Sequence, residues 1–256
     1  RVDGFHGEGT ENYRERGSVN YPRPIRTISQ IELTTHCNLK CVYCPSPYKW
    51  RVHTHMTEET LEKALAWLGY FHDKPPALDW PPTILGVQPL NALPVLMLHG
   101  IGESLLHPRF FDFAAKLRAR LPRTQIGMSS NGLLLTPENC AKLSNLGMKI
   151  NISMHRPDLA RGAVQNAQDA GILNAVSNAP SLEPNDWAGQ LKWGVRAPRD
   201  ACTYLHQGWG VILVDGKITT CCLDAKDEGI IGNVANTPST ILTQPYKLCA
   251  DCHRCP

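Results

Sequence analysis

Three cysteines, Cys37, Cys41 and Cys44, fall within eight residues at C-x3-C-x2-C spacing. Thiols this close in sequence belong to one site. A cubane iron–sulfur cluster takes four thiolate ligands, and this loop supplies three. One iron is then left for a ligand that is not protein, which makes such a cluster a reactive centre rather than an electron store. A zinc site completed by a histidine such as His36 is the other chemistry these residues permit, although zinc sites favour C-x2-C pairs.

A second set lies toward the far end: Cys202, Cys221, Cys222, Cys249, Cys252 and Cys255. Thirteen residues separate Cys202 from Gly216, four more precede Cys221, and the last three cysteines run C-x2-C-x2-C. Four of these would hold one further cluster, and a four-cysteine zinc ribbon fits similar spacing. Successive residues of a strand face opposite ways. If Cys221 faces a metal, Cys222 faces away from it, either as a small core side chain or as a thiol turned toward a substrate. Cys140 sits among apolar helix positions and reads as a buried thiol.

The elements that must position these groups alternate along the chain. Thr27 to Leu33 reads as a strand, the cysteine loop follows, and Thr57 caps a helix with Leu61, Ala64, Leu65 and Leu68 on one face. Strands are expected over Val95 to His99, Gln125 to Ser129, Lys149 to Met154 and Ile172 to Ser177. Helices are expected over Phe110 to Leu121, Pro137 to Leu146 and Leu159 to Ala170, the last two closed by Gly147 and Gly171. This is a βα series and implies a parallel sheet with helices outside it. The stretch 178–200 offers one short helix, 186–192, and no sixth strand. Val211 to Val214 and Lys217 to Cys222 flank Asp215-Gly216, a type I′ hairpin signal. Residues 1–26 read as an irregular arm. Six prolines in 73–94 exclude a long regular element there and suggest a lid or docking loop.

Polar residues gather where the strands end. Gly100, Gly102 and Glu103 follow the second strand, Ser130 and Asn131 the third, and Ser153 nearly closes the fourth, with Arg161 beyond it. Parallel α/β folds build their sites at these ends. Glycines let a ligand approach the backbone, and a carboxylate can accept hydrogen bonds from an ammonium group.

Composition narrows the classes. A net charge of +3 over 256 residues leaves no footprint for nucleic acid or a membrane surface. No run of eighteen apolar residues and no signal peptide is present. Ten clustered cysteines in a chain of this size point to metal ligands in a reducing, cytoplasmic compartment rather than to disulfides.

The cysteine spacing, with Tyr43 just before the last cysteine, resembles the radical S-adenosylmethionine (AdoMet) superfamily. Gly100-Ile101-Gly102-Glu103 resembles that family's Gly-x-Gly-Glu-Pro motif, with Ser104 in place of proline, and Ser130-Asn131-Gly132 resembles its Thr-Asn-Gly stretch. The resemblance implies a partial parallel (βα) barrel over 27–196 and a [4Fe-4S] cluster on Cys37, Cys41 and Cys44. It also implies AdoMet with its amino group at Glu103, its adenine against Tyr43, and Gly100, Gly102, Ser130, Asn131, Ser153 and Arg161 around it. An external one-electron donor of the flavodoxin or ferredoxin type is implied as well. The spacing from Cys202 through Gly216 to Cys221 resembles the SPASM and twitch extensions of the superfamily. It implies a small cysteine-rich extension over 197–256 with a β-hairpin and an auxiliary iron–sulfur cluster, held by Cys202, Cys221 and two of Cys249, Cys252 and Cys255. Such enzymes mostly modify peptides. The expectation is therefore a peptide substrate and Cα epimerisation, with Cys222 returning a hydrogen atom to the substrate radical. Residues 1–26 are too few for a leader-recognition domain. Small-molecule oxidation by a twitch-type enzyme is the alternative, and a zinc-stabilised binding module a further one.

Overall fold

A computed structural model describes residues 22–73, 95–178, 187, 190, 191, 202, 204, 205 and 208–252. Its centre is a sheet whose strands alternate with helices. β2 (Thr27–Ile31), β3 (Val95–Leu98), β4 (Gln125–Ser130), β5 (Lys149–Met154) and β6 (Leu173–Asn178) pair in parallel, each with the next. Helices α1 (Glu58–His72), α2 (Phe110–Arg120), α3 (Pro137–Asn145) and α4 (Ala163–Asp169) connect them. Both faces of β2 and β3 are buried, as a covered parallel sheet requires. The helices turn Leu61 and Leu68, Phe110, Phe113 and Leu117, Cys140 and Leu143, and Ala163 and Ala167 into one core with Ile28, Leu96, Ile126 and Ile150. Cys140 is buried, as its helix position predicts.

Local sequence explains the helix ends. Thr57 accepts the Thr60 N–H at 3.1 Å, and Thr136 accepts that of Asn139 at 3.1 Å with Pro137 in the first turn. Gly147 and Gly171 take the left-handed conformation after α3 and α4. Helix α4 starts later than its apolar spacing suggests, because Gly162 is left-handed (φ 79°) at its N-cap. The preceding residues form turns instead, with the Leu159 and Ala160 N–H groups donating to Arg156 O.

The sixth parallel strand, β7 (Trp209–Ile212), joins β2 at the edge away from β6. Antiparallel β8 (Lys217–Thr219) and β9 (Ile230–Asn233) extend it, giving the order β6-β5-β4-β3-β2-β7-β8-β9. The hairpin thus shares a sheet with the βα series, which among the described residues does not close into a barrel. Its turn is not type I′, which needs positive φ at both central residues. Of Val214, Asp215 and Gly216, only Gly216 has it (φ 84°). Gly216 N–H donates to Leu213 O at 2.9 Å and Leu213 N–H to Lys217 O at 2.8 Å, a three-residue loop closed by a left-handed glycine. β1 (Arg23–Pro24) pairs with β10 (Leu242–Thr243), tying the end of the N-terminal arm to the C-terminal part, where α5 (Lys247–Asp251) follows. The rest of that arm, the proline-rich loop 74–94, most of the expected helix 186–192 and Cys255 lie outside the described residues.

Candidate active site

The cysteine loop leaves β2 through Glu32 and returns to α1 through Met56. Glu32 is fully buried, yet its carboxylate has four donors. Arg51 donates from Nη1 at 2.8 Å and Nη2 at 3.0 Å, Ile101 N–H at 2.9 Å and Val214 N–H at 3.4 Å. The far end of the cysteine loop, the glycine loop after β3 and the hairpin turn therefore meet on one carboxylate. Arg51 Nε also lies 3.4 Å from Asp227, which Lys217 approaches to 3.2 Å. Thr35 adds a second tie by donating to Val52 O at 3.0 Å and accepting the Thr54 N–H at 2.8 Å. Beneath the loop His36 stacks on His55 with ring centroids 4.4 Å apart, and His107 meets His55 edge-on at 5.3 Å.

This packing explains Gly100 and Gly102 differently from ligand approach. A Cβ on Gly100 would lie 2.1 Å from Glu32 Oε1, and one on Gly102 would lie 2.4 Å from Thr34 O and 2.6 Å from His36 O. The glycines let the loop after β3 press against the base of the cysteine loop. That contact carries the next residue in, and the Glu103 N–H donates to His36 O at 2.8 Å.

Cys37, Cys41 and Cys44 are partly exposed on the loop. Cys44 N–H donates to Cys41 O at 3.1 Å, a turn that draws the last two thiols toward each other. Burial raises the Cys37 thiol, with Glu103 and Cys41 adding to it. Burial pushes Cys44 up to about 12, with contributions from Cys37 and Cys41. Each thiol thus lies in the field of another. Among the described residues, no three Cys, His, Asp or Glu side chains converge as a metal-holding group.

Glu103 is buried at the ends of β3 and β4. Its Oε2 accepts the Asn131 N–H at 2.8 Å, while Oε1 has no hydrogen-bond partner. Burial pushes this carboxyl up to about 7, and Asn131, Ser130 and the Leu105 N–H pull it the other way. Ser130 and Leu105 are thus near the carboxyl without completing a hydrogen bond to Oε1. The Asn131 amide donates to Asn38 Oδ1 at 2.7 Å and lies 4.0 Å from Cys37 Sγ, bridging Glu103 to the first cysteine. Ser130 accepts the Gly132 N–H at 3.1 Å. Ser104 donates to Leu98 O at 2.7 Å, so a hydrogen bond pins the loop where a proline would stiffen it. Ser153, at the end of β5, pairs with Ser177 at 3.5 Å. Arg161 is exposed on the turn before α4.

Two side chains absent from the sequence expectation complete the surroundings of Tyr43. Its hydroxyl meets His155 Nδ1 at 2.7 Å, one residue past β5, and Trp187 Nε1 donates to Tyr43 O at 3.1 Å. Nothing in the sequence singles out His155 except its place after a strand, the same signal that marks Glu103 and Asn131.

Four cysteines of the second set share a pocket. Cys202, Cys221, Cys249 and Cys252 line one apolar pocket with Tyr204, Leu205, Leu223, Tyr246 and Leu248. Burial raises the Cys221 thiol, with Cys222, Cys202 and Cys252 adding to it. The Tyr246 hydroxyl is raised by burial and is buried without a hydrogen-bond partner. Cys222 is not among the pocket's lining residues. The strand argument for its orientation fails, because β8 ends at Thr219 and Cys222 lies in the turn beyond it. It packs with Trp187 and Cys221 against Leu223 and Leu248.

No protein-family model matches the sequence. The chain is 28% identical over 120 residues to the tungsten-containing aldehyde ferredoxin oxidoreductase cofactor-modifying protein of Pyrococcus furiosus, covering 47% of this chain and 28% of that protein. It is 25% identical over 198 residues to GTP 3',8-cyclase of Streptomyces coelicolor, covering 67% of this chain and 50% of that protein. It therefore spans half or less of the curated relatives it matches. Among solved structures it is similar to BtrN in complex with AdoMet and 2-DOIA, with TM-score 0.64 and 20% identity, covering 81% of this chain and 78% of the other. It is also similar to anSMEcpe with bound AdoMet, with TM-score 0.56 and 14% identity, covering 82% and 78%. These likenesses show the fold, a partial parallel (βα) barrel shared with BtrN and anSMEcpe.

Proposed function

We propose that this chain reductively cleaves AdoMet and abstracts a hydrogen atom from a bound substrate. The observation that carries the reading is Glu103 Oε1. It is a buried carboxylate oxygen without a partner, held by the Glu103–Asn131–Cys37 chain of contacts beside three thiols on one loop. A buried carboxylate oxygen is costly to leave unpaired, and an ammonium group would satisfy it. The donor set also suits a [4Fe-4S] cluster, with Cys37, Cys41 and Cys44 as ligands and a position left for the amino and carboxylate groups of AdoMet. With both bound, one-electron reduction supplies a 5′-deoxyadenosyl radical. Glu103 would orient the methionyl amine, Asn131 would hold Glu103 against the cysteine loop, and Tyr43, fixed by His155 and Trp187, would form the adenine side. On this reading the chain is an enzyme of a reducing compartment, such as the cytoplasm, that works with an external one-electron donor. The auxiliary pocket would take a second iron–sulfur cluster on Cys202, Cys221, Cys249 and Cys252.

The substrate class is a peptide, and the reaction Cα epimerisation. Trp187 supports this reading, since it touches Tyr43 and also packs in the cluster that contains Cys222. A hydrogen atom taken from one face of Cα would be replaced from the Cys222 thiol on the other, and the thiyl returned to thiol by one electron and one proton. A second reading, oxidation of a small molecule, is favoured by the likeness to BtrN, whose structure contains 2-DOIA. Cys222→Ala, assayed in deuterated water against candidate peptides, separates the two. Epimerisation predicts deoxyadenosine without D-residue product in the variant. Full deuterated D-residue product from the variant removes Cys222 from the mechanism.

A further inference from the structure

The cysteine loop is unusual in the large apolar side chains it exposes. Among the described residues eight large hydrophobic side chains are exposed, and three of them, Val42 (63%), Tyr48 (47%) and Val52 (79%), fall within positions 42–52. Such side chains are ordinary when scattered, but a concentration beside a reactive site marks an interaction surface. Tyr48 stacks on Trp50 with centroids 5.0 Å apart, and the Lys226 amine sits 4.7 Å over the Trp50 ring. The charge is one-sided. No Asp or Glu occurs between Glu32 and Glu58, whereas Lys40, Lys49 and Lys226 are exposed. The nearest carboxylates are mostly engaged: Asp227 by Arg51 and Lys217, and Asp158 by Arg156, leaving Glu228 exposed.

The surface is also held in shape. Arg51 is pinned on Glu32, Thr35 clamps Val52 and Thr54, and Lys49 takes the left-handed conformation (φ 51°) that ends the short 3-10 turn Ser46–Tyr48. A preformed aromatic platform with a basic rim needs little ordering to bind a partner. Charge complementarity then selects an acidic one and speeds its encounter. The platform is built on the loop that carries Cys37, Cys41 and Cys44, so whatever docks here is brought next to those thiols.

Resting on the function proposed above, we infer that Tyr48, Lys49, Trp50, Val52 and Lys226, with Val42, form the docking surface for an acidic one-electron carrier protein. One electron passes from the carrier's reduced centre to the site, the carrier is oxidised by one electron, and no covalent bond forms between the proteins. The test uses reconstituted full chain and an acidic [2Fe–2S] ferredoxin. Lys49→Asn/Lys226→Glu removes the basic rim, with Asn chosen because it tolerates the left-handed position. Tyr48→Ser removes the platform. Deoxyadenosine release driven by reduced ferredoxin is expected to fall about tenfold or more in the charge variant and to lose its salt dependence. Release driven by dithionite is expected to stay unchanged in both variants. Ferredoxin binding, measured without turnover, is expected to weaken by a similar factor. Wild-type ferredoxin rates and binding in both variants overturn the inference. So does equal loss with ferredoxin and dithionite, or loss confined to peptide binding or self-association. Absence of deoxyadenosine from wild type with dithionite counts against the proposed function alone, and the binding measurement then still decides the docking surface.

Discussion

Glu103 shows how one buried residue can trade stability for binding. Its carboxyl is raised from an ordinary value of 4.5 to about 7 because burial disfavours the charged form. The folded chain therefore holds a proton more tightly than the unfolded chain. This contribution to stability is fully present below about pH 4.5 and is lost as pH rises through about 7, a swing of about 3 kcal/mol. Denaturation of AdoMet-free protein at pH 5 and pH 8 should show that loss in wild type and not in Glu103→Gln. The variant should also bind AdoMet about 10- to 100-fold more weakly, the worth of a hydrogen bond to a charged group. Equal pH dependence in the two proteins would contradict the assignment. At this scale the placement of Glu103 and Asn131 beside the cysteine loop was readable, because both follow strands that end at that loop. His155 and Trp187 were not readable, because their roles arise from contacts 112 and 144 residues away in sequence. Cys222 was misplaced for a related reason, since strand alternation fails once the strand stops.

The cysteine loop is an element without regular structure, so its shape comes from what anchors it. Glu32 and Arg51 form a buried ion pair that joins this loop to the glycine loop and the hairpin turn. Removing one partner strands the other charge. Arg51→Met should cost about 3 kcal/mol or more in chemical denaturation. Pairing it with Glu32→Gln should restore part of the loss. Strict additivity of the two would mean that they do not act together. The glycines differ in a testable way. Gly102→Ala would press on the backbone of Thr34 and His36, whereas Gly100→Ala meets a carboxylate. Both should destabilise, with Gly102→Ala the more severe in thermal melts. The order and type of the βα elements follow from apolar periodicity, and their boundaries largely hold. The sixth parallel strand did not follow, because pairing of β7 with β2 is a choice of neighbour 181 residues away, recorded only in tertiary contacts.

At the scale of the molecule the two cysteine sets are linked through shared contacts, since Trp187 touches Tyr43 on the first loop and packs with Cys221 and Cys222. The first is on the loop after β2, and the second lines a pocket beyond β8, while β7 next to β2 joins their strands in one sheet. Among the described residues no helix is long and apolar enough to cross a membrane. If both sets hold cubane clusters, anaerobically reconstituted protein should contain about eight irons, and Cys221→Ala should lower this to about four. Zinc in place of iron would favour the binding-module alternative. The most direct measurement of the central claim is deoxyadenosine formation from AdoMet by iron-loaded protein with dithionite. Deoxyadenosine and methionine should appear in equal amounts from wild type, and neither should appear from Cys41→Ala. Iron-loaded wild-type protein that leaves AdoMet intact, or a Cys41→Ala variant that still cleaves it, would contradict the account.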